Sequence, residues 1–62
     1  MDEFKIGDVV RPRSVIIDMT VTDVGVVDGQ ERVFCMWFVE RPDGTWAGPR
    51  EAHFDPGTLC HR

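Results

Sequence analysis

Four side chains in this sequence belong to the zinc-binding types: Cys35, His53, Cys60 and His61. Seventeen residues separate Cys35 from His53, and no Cys-x-x-Cys or His-x-x-x-His pair is present to pin an ion. Cys60 and His61 are neighbours, and in a strand they would point to opposite faces. No metal or other cofactor is therefore expected. Ser14, His53 and several aspartates could supply a nucleophile and a base, but no nucleophile elbow or glycine-rich cradle accompanies them. A chain of 62 residues is also expected to lack room for a pocket of the usual few hundred cubic ångströms. The reading is not an enzyme. Asp18, Asp23, Asp28 and Glu31 do not follow the Asp-x-Asp-x-Asp-Gly spacing of a calcium loop and are expected to form a solvated acidic rim.

What remains is apolar surface. Val33-Phe34-Cys35-Met36-Trp37-Phe38-Val39 is unbroken by a polar residue, and a strand sends alternate side chains to opposite faces. Val33, Cys35, Trp37 and Val39 share one face; Phe34, Met36 and Phe38 share the other. Both faces need cover. A domain of this size buries only about 60% of the surface of its unfolded chain, so the second face closes on its own curled sheet or meets a partner. Val15, Ile16 and Ile17 add three β-branched apolar residues where a polar turn is expected, and Trp46 follows a tight turn. Val15, Ile16, Ile17, Phe34, Met36, Phe38 and Trp46 are thus the candidate partner-binding residues.

The elements that must position these groups are strands. Val9 to about Arg13 reads as the first, with Pro12 marking an edge or an end. Residues 19–27 read as the second, closed by the Asp28-Gly29 turn. The third runs from Glu31 to Glu40 and ends at Arg41-Pro42-Asp43-Gly44, a strong turn signal. A fourth starts near Thr45-Trp46, is interrupted around Gly48-Pro49 and resumes over Glu51–Phe54. Asp55-Pro56-Gly57-Thr58 is a last turn before a short fifth strand, Leu59–Arg62. Five short strands without a helical stretch predict a single all-β domain over 1–62, a small barrel or sandwich.

Composition agrees with a folded chain: 42% hydrophobic and 29% charged, with a net charge of −4. Residues 1–31 hold seven acids and three bases, whereas residues 32–62 hold four of each. The basic stripe of a nucleic-acid binder is missing. The acidic start Met1-Asp2-Glu3 is unlike a secretory leader, which with two cysteines predicts a cytoplasmic protein with free thiols. No apolar run approaches the roughly 20 residues needed to cross a bilayer, so no membrane role is expected.

Gly7-Asp8-Val9-Val10, Ser14, Met19-Thr20-Val21, Cys35-Met36-Trp37-Phe38, Phe54 and Leu59 occur in an order and spacing that resembles the YodC-like family of small uncharacterised bacterial proteins. The resemblance spans nearly the whole chain. Members of that family usually carry Ser-Gly-Gly-Pro before Met-Thr-Val, and Val15-Ile16-Ile17-Asp18 stands here instead. The resemblance implies a compact five-stranded SH3-like barrel in a bacterial, phage or mobile-element cytoplasm. It implies no activity.

The function expected is that of a binding module working through protein contacts, with a protein partner or with itself as a homodimer. A phage or mobile-element inhibitor whose acidic surface imitates nucleic acid is the alternative. Weak RNA or DNA binding through Arg11, Arg13, Arg32, Arg41 and Arg50 with stacking on Trp46 ranks last.

Overall fold

The computed structural model describes residues 3–62; Met1 and Asp2, part of the acidic start, lie outside the described residues. Five strands follow in order: β1 (Val9–Pro12), β2 (Met19–Val27), β3 (Gln30–Glu40), β4 (Trp46–Phe54) and β5 (Leu59–His61), with a 3-10 turn at Pro56–Thr58. All neighbours are antiparallel, in one sheet ordered β4-β3-β2-β1-β5. The fold is all-β. The order leaves β4 and β5 as edges, so the ladder is open where a closed barrel was expected. Among the described residues no β4–β5 pairing joins the edges.

The hairpins form where turn chemistry dictates. Asp28 (φ 51°) and Gly29 (φ 79°) are both left-handed between the paired residues Val27 and Gln30, the two-residue turn that matches strand twist. Between β3 and β4, Gly44 has φ 87°, and Asp43 accepts hydrogen bonds from the Thr45 amide (3.0 Å) and hydroxyl (2.6 Å). Asp55 caps the 3-10 turn by accepting from the Gly57 amide at 2.8 Å.

One face of the sheet, with the N-terminal lead-in folded over it, makes the core: Phe4, Val10, Met19, Val21, Val33, Cys35 and Leu59, with Trp37 and Phe54 packed against it. Phe4 also stacks on His61, ring centroids 4.7 Å apart. The core sits mid-molecule. The chain extends 41 Å along its long axis against 20 and 19 Å across it, because the β2–β3 hairpin runs past the core at one end and the β3–β4 hairpin at the other.

Two bulges decide which side chains face inward. β2 and β3 pair Val21 with Cys35, then Asp23 with Phe34, leaving Thr22 as an extra residue. Strict alternation would send Val24 and Val26 outward with Thr20; the bulge returns them to the core side. Beyond the core's reach, they remain exposed there. The second irregularity lies between Trp37 and Val39 on β3, opposite Gly48 and Pro49. The interruption expected in the fourth strand is therefore a bulge, and β4 continues through it from Trp46 to Phe54.

Candidate functional site

On the face away from the core, β2 and β3 pair Thr20 with Met36. Past that pair the sheet runs on to Glu40 and Trp46, while the 15–18 segment crosses back toward it. Between them lies an open groove of about 570 Å³ lined by Arg11, Ile16, Ile17, Asp18, Thr20, Met36, Trp37, Phe38, Val39, Glu40 and Trp46. The expectation that so short a chain has no room for such a volume is overturned. The space lies outside the sheet, between a hairpin end and a loop, and needs no hollow interior.

The groove unites five of the seven candidate contact residues: Ile16, Ile17, Met36, Phe38 and Trp46. Ile16 is 85% exposed, Trp46 62% and Phe38 50%. Val15 is exposed nearby but does not line the groove. Phe34 lies further along β3, where its ring meets His53 across the β3–β4 pair at 5.3 Å between centroids. It is half-buried there and not part of this surface.

Gly48 shapes the groove wall. Its φ is +133°, and a Cβ placed there would lie 3.1 Å from Phe38 Cδ1, 3.2 Å from the Trp37 carbonyl oxygen and 3.3 Å from the Arg50 amide nitrogen. Only glycine lets the Phe38 ring lie this close to the β4 backbone.

The polar rim is held by ion pairs. Arg11 Nε donates to Asp18 Oδ1 at 2.6 Å, and Arg62 Nε lies 3.5 Å from Asp18 Oδ2. The Arg11 hydrogen bond holds the Asp18 carboxyl below its usual range. Asp18 is thus engaged by two cations and does not join the other carboxylates. Asp23 accepts from the Val24 amide at the bulge (2.8 Å), and Asp28 and Glu31 lie at the far hairpin. At about 3.3 Å per residue, β2 sets Asp18 roughly 30 Å from Asp28. The acidic residues are strung along the strand, with Asp23 midway between the two ends. The arginines are likewise dispersed: Arg11 faces Asp18, Arg13 Nε donates to the Gly57 carbonyl at 2.9 Å, and Arg32 donates to Gln30 at 3.3 Å.

The zinc-type residues are scattered among other tasks. Cys35 is buried in the core, where burial pushes its thiol pKa up. The Cys60 thiol is directed at the Arg11 carbonyl oxygen (3.6 Å), and both cysteines are free. His61 Nε2 lies 3.0 Å from Asp8 Oδ2. Asp8 also accepts from the Lys5 amide at 3.0 Å, and these two hydrogen bonds, Lys5 first, lower its pKa. Among the described residues no three His, Cys, Asp or Glu side chains are grouped to hold a metal, and no helix is long and apolar enough to cross a membrane.

No family model, curated protein or solved structure matches the chain.

The bulge at Thr22 is the feature that residue-by-residue alternation missed. It sends Val24 and Val26 to a second, smaller hollow of about 400 Å³, with Phe4, Val33 and Pro56 among its lining. Asp23 before an apolar pair was the available signal, since a side chain that accepts from the next amide favours a break in the ladder.

Proposed function

We propose that this chain is a non-enzymatic binding module that docks protein through the groove between the 15–18 segment and the β3–β4 hairpin. The supporting observation is the convergence of Ile16, Phe38 and Trp46, all exposed, on one concave surface. Exposed large apolar side chains gathered in one place mark contact sites, and an aromatic anchor beside a branched aliphatic is the usual make-up of a contact hot spot. The lining contains no histidine or cysteine; of its polar groups Arg11 and Asp18 pair with each other, and Thr20 and Glu40 complete the set. Such a rim suits the orientation of a partner. The proposal includes YodC-like membership, an SH3-like barrel formed by curling of the open sheet, and a bacterial or phage cytoplasm.

Docking at the groove is favoured over the acidic-mimic alternative because the four candidate carboxylates are strung out along β2 and its hairpin, with Asp18 already paired with arginine and Asp23 at the middle of the strand. The test is a pull-down from the native host with wild type, Ile16→Asp, and the double variant Asp23→Lys/Asp28→Lys. A partner lost only with Ile16→Asp supports the groove. A partner lost only with the charge reversals overturns it in favour of mimicry.

A further inference from the structure

We infer that the occupant of the groove is a second copy of this chain, joined end to end about a two-fold axis. The inference rests on the docking function just proposed and names the partner.

The chain is elongated and its surface lies above the average for a compact molecule of its mass. Its accessible surface is 4610 Å² for 7.1 kDa, whereas folded monomers of that mass expose about 4,100 Å². The apolar side chains lining the groove, chiefly Ile16, Trp46 and Phe38 with Ile17 and Val39, leave on the order of 500 Å² uncovered per copy. Two copies packed there would bury roughly 1,000 Å², about the least that a biological interface shows.

Charge placement favours a like partner. The chain carries −4 overall, a net charge that would normally oppose self-association. At the groove end, however, Arg11, Arg41 and Arg62 balance Asp18, Glu40 and Asp43. Acidic excess collects instead around Asp23, Asp28 and Glu31, which β2 and β3 carry toward the opposite hairpin. Joined by their groove ends, two copies hold those acidic tips at the far ends of the assembly, separated by many times the screening length of about 8 Å. A strongly cationic partner would be drawn to the tips, away from the groove.

Pairing through the sheet edges is blunted. Pro49 interrupts the donor row of β4, and β5 has three residues. Side-chain packing at the groove gathers the largest exposed rings, Trp46 and Phe38, with Ile16, and a two-fold axis makes the contact close on itself.

Sedimentation equilibrium and small-angle scattering of the full chain over a concentration series test this. The expected result is a species of twice 7.1 kDa whose longest dimension approaches twice the 41 Å of one copy. Ile16→Asp and Trp46→Ala should each weaken self-association by roughly tenfold or more while leaving the circular dichroism spectrum native. A wild-type monomer at every concentration overturns the second copy as occupant; if Ile16→Asp still abolishes capture of a different protein, the docking function stands without it. A compact dimer, or one indifferent to both substitutions, places self-association on another surface and overturns the inference.

Discussion

Gly48→Ala puts the groove wall and the stability of the sheet under one test. The new methyl would meet the Phe38 ring at 3.1 Å, the Trp37 carbonyl oxygen at 3.2 Å and the Arg50 amide nitrogen at 3.3 Å, and φ is +133°. The ring can swing away; the two backbone atoms belong to the β3–β4 ladder and give little. Backbone held in a region that side chains avoid costs about 1–3 kcal/mol. A domain of 62 residues has only about 3–9 kcal/mol in total. At 4–8 °C per kcal/mol, the melting temperature should fall by roughly 5–20 °C.

Two other glycines separate the contributions. Gly29 has φ +79° with nothing within 4 Å of its Cβ position, so Gly29→Ala reports backbone conformation alone; Gly25 has ordinary φ and equally open surroundings, so Gly25→Ala should be neutral or slightly stabilising. Thermal melts and urea titrations of the three variants give the ranking. Gly48→Ala should be the least stable, with the Phe38 resonances shifted. If it matches Gly25→Ala, the close approach of Phe38 to β4 is wrong and so is the groove wall built on it.

Leu59→Ala removes a fully buried side chain from the shortest strand and should cost about 2–5 kcal/mol, enough to leave much of the protein unfolded in a urea titration at 25 °C. Asp8, Asp18 and Asp43 all have pKa values lowered from 3.8, by the Lys5 amide then His61, by Arg11, and by the Thr45 hydroxyl then its amide. Lowered folded-state values add stability above the unfolded pKa that is lost as pH falls through the folded one. Denaturation midpoints should therefore drop below about pH 4, and Asp8→Asn with Asp18→Asn and Asp43→Asn should flatten that drop; an unchanged slope would count against these contacts. Thiol labelling of the native protein should modify half-buried Cys60 well ahead of buried Cys35, with both reacting in denaturant. Equal native rates would mean that the core opens readily.

How far the sequence reaches is clearest at the turns. Asp28-Gly29 and Pro42-Asp43-Gly44 carry their conformations in their own residue types, so the hairpins, and with them all five strands, are legible without coordinates. The apolar residues that line the groove are legible in part, because Ile16 stands where a polar turn is expected and alternation puts Phe38 on the face opposite Val33 and Cys35. Alternation itself carries only until a bulge resets it: Gly48-Pro49 marks the irregularity opposite Trp37 and Val39, whereas the extra residue at Thr22 is not encoded by alternation.

Tertiary structure decided the rest. Whether the two edge strands meet depends on how the sheet curls, and here β4 and β5 are not paired. Phe34 and Phe38 look alike in the sequence, yet one meets His53 and the other lines the groove with Ile16, because strand register sets their neighbours. Asp18 resembles Asp28 as a residue, and the approach of Arg11 and Arg62 makes it part of an ion-pair rim. Residue chemistry is a local property and can be read along the chain; a shared surface is a property of distances between segments, and those exist only once the chain has folded.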